Sequence, residues 1–161
     1  MANALRARAL ALLARREMSR AELRRRLEPL AESPAELDQL LDELARSRLQ
    51  SDARFTEALV HTRARRFGTS RIAAELRDKG VAPELADTAM VTLRADEEAR
   101  ALAVWRRKYP EPASTAAERA RQGRFLAGRG FAADIVRRII DGRIDDEAAG
   151  ESGDRTGKDK E

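Results

Sequence analysis

The chain has 161 residues, a length of about one ordinary domain, with no cysteine and a single histidine, His61. That composition excludes a disulfide framework, a thiolate zinc site, a cysteine nucleophile and a multi-histidine metal cluster, and no cofactor is expected. Charged residues are 37% and aromatic residues only 4%, with a net charge of +4, so a core must be assembled mostly from Leu and Ala, which favours packed helices over a β-sandwich or barrel.

The first predicted helix is the Ala/Leu-rich stretch from Ala4 to Arg16. Ser19 with Glu22 three residues on reads as a capping box opening a second helix, which should end near Pro29. Ser33, Pro34 and Glu36 open a third, in which Leu37, Leu40, Leu41 and Leu44 fall on one face. Ser51 or Asp52 caps a fourth helix with Phe55, Ala58, Leu59 and Thr62 on one side, stopped by Gly68. Thr69 is expected to cap a fifth, burying Ile72, Ala73 and Leu76 and ending at Gly80, a residue free to take the left-handed conformation of a helix stop. Pro83 opens a sixth, with Leu85, Ala86, Ala89, Met90 and Leu93 inward. The seventh begins at Asp96, aligns Ala99, Leu102, Trp105 and Tyr109, and ends at Pro110 and Pro112. Thr115 and Glu118 form a capping box for an eighth that carries Phe125 and Leu126 and closes at Gly128 and Gly130. Ile135, Val136, Ile139 and Ile140 mark the ninth, and no segment alternates in the manner of a strand.

These helices group by repetition. Residues 79–85 match residues 129–135 in type and order at a shift of 50, and Leu23 and Leu27 anticipate Ile72 and Leu76 at a shift of 49. The chain therefore reads as all-α, with three tandem three-helix repeats at 1–50, 51–94 and 95–144 forming an elongated, curved array. From Asp145 to Glu161 three basic residues face seven acidic ones, a net of −4, which leaves the first 144 residues at +8, and this segment is expected to be a disordered acidic tail.

Catalytic chemistry finds little support. Gly128 and Gly130 lack the Lys-Ser/Thr signature and preceding strand of a phosphate loop and read as helix terminators. His61 stands mid-helix with no candidate nucleophile, and Glu97 with Glu98 are explained by a helix's first turn. Arginines broken into the apolar N-terminal segment argue against a targeting signal, and no run approaches the roughly 18 apolar residues of a membrane span, so a cytoplasmic protein is expected.

The basic residues are the better candidates. Arg20 and Arg24 share a helix face with Arg25 alongside, and Glu22 is the only acid between Arg20 and Leu27. Arg15 with Arg16, Arg63 with Arg65 and Arg66, and Arg106 with Arg107 and Lys108 recur near the ends of the first helix of each repeat. Arg71, Arg77, Lys79, Arg124 and Arg129 complete the expected basic face. Arginine forks bind phosphates or acidic side chains, so the face suits a nucleic acid or an acidic protein groove. Phe55, Phe67, Trp105, Tyr109, Phe125 and Phe131 lie mostly at core spacing, which leaves few rings for base stacking.

The motifs, taken in order, resemble those of a known family. Residues 49–55, Leu-Gln-Ser-Asp-Ala-Arg-Phe, resemble its leucine-to-aromatic turn; Gly68, Arg71, Ile72, Glu75, Leu76, Lys79, Gly80 and Val81 resemble its central signature; and Arg124, Phe125, Leu126, Arg129, Gly130 and Phe131 resemble its C-terminal one. The family is RecX, and the resemblance covers about residues 4–142, with the Pro29–Pro34 connector departing from the commoner Lys-Gly-Phe turn. It implies an all-helical, non-enzymatic regulator of the RecA recombinase that lies in the groove of the RecA filament and limits its assembly, ATP hydrolysis, strand exchange and coprotease activity. The expected partners are the RecA filament and, through the basic face, single-stranded DNA, with the chain itself a monomer. The rival readings are a general DNA-binding protein that competes for the strand and an interaction scaffold unrelated to DNA.

Overall fold

The computed structural model describes residues 2–142, which contain nine α-helices and no strand. They are α1 (Ala2–Leu13), α2 (Arg20–Leu27), α3 (Pro34–Arg46), α4 (Asp52–Ala64), α5 (Thr69–Asp78), α6 (Pro83–Ala95), α7 (Glu97–Lys108), α8 (Ala116–Gly128) and α9 (Ala133–Ile140), with a 3-10 turn at Glu28–Leu30. The acidic tail expected from Asp145 lies outside the described residues.

Local chemistry explains most helix ends. The Ser19, Ser33, Ser51 and Thr115 side chains each accept a hydrogen bond from the backbone N–H three residues on, and Thr115 with Glu118 completes a reciprocal capping box. Two expected caps differ. Glu22 does not return a bond to Ser19, because its carboxylate is drawn to Arg16 and Lys79. Thr69 is the first helical residue of α5 and not its cap; Gly68 holds that place with no side-chain bond, and α4 has already ended four residues earlier at Ala64.

Each group of three helices closes its own apolar cluster. Leu5, Ala9, Met18, Leu23, Leu27, Leu37, Leu41 and Leu44 fill the first. Phe55, Ile72, Leu76, Val81, Met90 and Leu93 fill the second, and Ala101, Val104, Trp105, Leu126, Phe131, Ile135, Val136 and Ile139 the third. At roughly 1.5–3 kcal/mol for each large apolar side chain buried, these clusters are the main favourable term. Two buried faces differ in part from their expected positions. On α7 Trp105 is buried and Leu102 and Tyr109 pack against the third cluster as expected, but Ala99 is exposed and Glu97, Ala101 and Val104 also turn inward, because Glu97 meets α5 and the Trp105 indole N–H donates to Gln122 at 2.9 Å. On α4, Phe55 and Thr56 are buried, whereas Ala58 and Thr62 face outward over a surface cleft.

The units are joined in series by one repeated device. At the first junction the Ser19 hydroxyl donates to the Lys79 carbonyl at 2.5 Å. At the second the Ser70 hydroxyl donates to the Gly130 carbonyl at 2.6 Å, and the Gly68 N–H donates to the Arg129 carbonyl at 2.8 Å. In both places a turn carrying a positive-φ glycine, Gly80 (φ 72°) or Gly130 (φ 82°), sits on the N-terminus of the second helix of the preceding unit. The glycines thus stop their own helices, as expected, and also permit the backbone to approach its neighbour.

An acid from the following unit completes each junction. Asp52, at the start of α4, accepts the Arg20 N–H at 2.7 Å, and Glu97, at the start of α7, accepts the Thr69 N–H at 3.0 Å. Each carboxylate satisfies an orphan donor at a helix N-terminus, where negative charge is favoured by the helix dipole.

Candidate functional site

The anticipated arginine stripe on α2 is largely balanced within its own unit. Arg20 reaches Asp42 at 2.6 Å and Arg24 pairs with Asp38, both acids standing on α3. Arg25 is exposed with no side-chain partner among the described residues, as are Arg15 and Arg77. The absence of nearby acids in the sequence of α2 was therefore no guide to its net field, because the compensating carboxylates come from a helix 14 and 22 positions away.

Arg16 and Lys79 belong to the first junction. Arg16 grips the Glu22 carboxylate with both terminal nitrogens, at 2.5 and 3.1 Å, Lys79 approaches it at 3.4 Å, and Glu22 is only 5% exposed. The Arg16 hydrogen bond, with the nearby Arg16 and Lys79 charges, holds the Glu22 carboxyl below the usual glutamate range against the opposing effect of burial. Arg54 and Glu17 add a second cross-junction pair at 2.8 Å.

The second junction gathers most of the remaining cations. Arg66, Arg71 and Arg129 surround the Phe67 ring, with guanidinium carbons 5.7, 4.3 and 5.8 Å from its centre, and Arg129 also lies 4.6 Å from the centre of Phe125. Two of these side chains are tied to backbone, Arg71 donating to the Gly128 carbonyl and Arg129 to the Arg66 carbonyl, each at 3.2 Å, and nearby Arg107 donates to the Arg65 carbonyl at 2.6 Å. Arg63 is set apart by a bidentate grip on Glu75, and these hydrogen bonds raise the Arg63 pKa. Lys108, Arg106 and Arg124 are exposed on the third unit.

Two clefts adjoin this cluster and share Arg66. One, of about 310 Å³, is lined by Arg66, Val104, Arg107, Lys108, Phe125 and Arg129. The other, of about 420 Å³, is lined by Arg63, Arg66, Phe67, Arg71, Ala74, Glu75 and Asp78. Cations from α4, α5, α7 and the α8–α9 turn thus converge on one region, while Arg15, Arg20, Arg24 and Arg25 stand in the first unit away from it.

Four residues have roles that sequence reasoning missed. Arg100 is inserted between units, donating to the carbonyls of Ala64 (3.2 Å), Phe67 (2.8 Å) and Leu93 (2.9 Å) and to the Thr69 hydroxyl, and burial lowers its pKa against the pull of Glu97 and Asp96. Glu97 caps a neighbouring helix and does not merely neutralise its own. Phe67 and Phe125 serve as platforms for guanidinium groups as well as packing against the apolar clusters. The available signal was the repetition of an acid at the first position of the first helix in units two and three, Asp52 and Glu97.

Among the described residues no group of three His, Cys, Asp or Glu side chains could hold a metal ion, and no helix is long and apolar enough to cross a membrane. His61 is exposed on α4.

Residues 51–90 match the second three-helix domain of RecX and residues 96–140 the third. The chain is 48% identical over 138 residues to the regulatory protein RecX of Ralstonia nicotianae, covering 86% of this chain and 87% of that one. It is 46% identical to the regulatory protein RecX of Leptothrix cholodnii, with 84% and 87% covered, and 40% identical to that of Neisseria meningitidis serogroup B, with 89% and 94% covered. The crystal structure of RecX from Lactobacillus salivarius superimposes with a TM-score of 0.72 over 88% of this chain and 95% of that one, at 19% identity, so the architecture persists where most side chains have changed. The order of three-helix units, the junction glycines and this similarity over most of its length together make the chain a member of the RecX family of regulatory proteins.

Proposed function

We propose that this protein modulates, and mainly inhibits, the RecA recombinase by binding the RecA nucleoprotein filament in the cytoplasm and limiting its assembly, ATP hydrolysis, strand exchange and coprotease activity. It acts as a monomer without chemistry of its own, in recombination, repair and the SOS response. Family membership is the observation that carries this reading. The serial joining of three helical units supports it physically, since a chain of units can lie along a polymer and bridge adjacent subunits, and the basic residues of the second and third units supply charge for an acidic or nucleic-acid surface.

Titration into RecA-driven ATP hydrolysis and strand exchange on single-stranded DNA tests it. Inhibition is expected at or below one regulator per RecA, and no effect at stoichiometric amounts would reject it. The acid-free cleft at the second junction favours one further reading, a general DNA-binding protein competing for the strand; inhibition would then be relieved by excess DNA and the DNA affinity would fall steeply with salt.

A further inference from the structure

We propose that the cleft between units two and three, lined by Arg66, Arg107, Lys108 and Arg129 over a floor of Val104 and Phe125, is a binding site for the phosphodiester backbone of single-stranded DNA, and that the first unit's arginines are not. The proposal rests on the filament reading above and deepens it by assigning which part of the protein meets the nucleic acid.

Charge accounting separates this cleft from the rest of the basic surface. In the first unit Arg6, Arg16, Arg20 and Arg24 each face a carboxylate, and Arg63 does so in the second. Among the described residues, no carboxylate pairs with Arg66, Arg107, Lys108 or Arg129, and no acid lines this cleft. Arg107 and Arg129 each give one N–H to a backbone carbonyl, but the positive charge of all four faces no carboxylate.

Geometry favours phosphate over a simple acidic patch. Arg129 lies against two aromatic rings and donates to the Arg66 carbonyl, and Arg107 donates to the Arg65 carbonyl, so both guanidinium groups are already fixed before a ligand arrives. A fixed planar fork loses little entropy on gripping two phosphate oxygens. The half-buried Phe125, with Arg129 against its ring, adds apolar surface beside the cations, which suits a sugar or base and offers nothing to an aspartate or glutamate side chain. The volume, about 310 Å³, is at the lower end of ligand-sized clefts and matches a nucleotide unit rather than a duplex. The adjoining cleft shares Arg66 but is also lined by Glu75 and Asp78, so the site is confined to the acid-free cleft.

The test compares two variants that remove the same charge. In R66Q/K108Q neither side chain gives up a hydrogen bond of the fold, so folding is preserved, as circular dichroism would check. In R15Q/R25Q two exposed cations of the first unit are lost instead. Binding of a fluorescent 20-residue oligo-dT is measured by anisotropy between 50 and 200 mM salt, without RecA. The cleft variant should bind at least about fivefold more weakly at low salt, and the slope of log affinity against log salt should shrink by about 1.4, the value for two lost single-strand phosphate contacts. The first-unit variant should stay within about twofold, and R66K/K108R should restore binding. Equal losses in both double-Gln variants, or no loss in the cleft variant, would overturn the proposal, as would competition by polyglutamate of matched charge as effective as unlabelled oligo-dT. Parallel RecA ATPase titrations keep the two claims separate: inhibition with no cleft-dependent DNA binding defeats this proposal alone, and cleft-dependent DNA binding with no inhibition defeats the filament reading alone.

Discussion

Ser19 and Lys79 stand 60 positions apart in the chain and are joined by a 2.5 Å hydrogen bond from the hydroxyl of one to the carbonyl of the other. Ser70 and Gly130 repeat the contact at the same separation and 2.6 Å. The repeat in the sequence is thus also a repeat of the joint: the second-helix turn of each later unit is laid on the second-helix start of the unit before it. Glycine at the turn is needed for two reasons at once, its own positive φ and the closeness of the neighbour.

The joint glycines should be costly to replace, in an order set by what a methyl group would meet. In Gly130→Ala the new carbon would lie 2.6 Å from the Arg71 Cβ and 2.7 Å from its backbone nitrogen, at φ 82°. Left-handed backbone and overpacking together should cost roughly 2–5 kcal/mol. In Gly80→Ala only the Ala21 Cβ is met, at 2.5 Å, so A21G should rescue part of the loss. Gly128 faces open space at the end of α8, and Gly128→Ala should stabilise by about 0.5–1 kcal/mol. Urea denaturation of the four variants checks the order; equal effects at Gly128 and Gly130 would refute it.

Acid should weaken the first junction. Because Arg16 holds the folded Glu22 carboxyl below its unfolded value, the stabilisation is fully present above the ordinary glutamate range, roughly pH 4.3, and is lost as pH falls through the lowered folded value. E22Q should cost about 1–3 kcal/mol at pH 7 and flatten the acid limb of a stability profile taken from pH 7 to pH 3. A variant whose profile keeps the wild-type slope would show that other carboxylates set it.

The cross-unit caps should be worth as much as caps within a helix. Glu97→Ala leaves the Thr69 N–H without its partner, and Asp52→Ala does the same to the Arg20 N–H. Each should destabilise by about 0.5–2 kcal/mol. Amide hydrogen exchange locates the loss: E97A should speed exchange at the start of α5 and D52A at the start of α2. Acceleration confined to α7 and α4 themselves would mean that each acid serves only its own helix.

Arg100 should be the most demanding charged residue of the second junction. It alone supplies donors to the carbonyls of Ala64, Phe67 and Leu93, and its Nε is buried without a partner. Arg100→Met removes the cation but strands those acceptors, at a cost on the order of 3 kcal/mol. Lysine keeps the charge but cannot serve three carbonyls with a planar fork, so R100K should recover less than half of the loss in thermal denaturation. Full recovery by lysine would reduce the role of Arg100 to its charge.

The sequence by itself determined the helices, most of their caps and the leucines that close each core, because these depend on neighbours within a few positions. Ser33 capping the third helix, Pro83 opening the sixth and the apolar face Leu37–Leu44 are all set by the 3.6-residue period and by backbone groups next in line. It also determined the 50-residue repetition and the glycines at its turns.

Tertiary structure alone decided which charges are spent and which are free. Arg24 and Arg66 look alike in the chain, yet one is paired with Asp38 across two helices and the other pairs with no carboxylate among the described residues. Glu97 looked like a first-turn acid, and packing turned it onto another unit. Pairing between side chains falls off within a few ångströms, so it depends on how helices far apart in the chain are brought side by side, and local order carries no record of that.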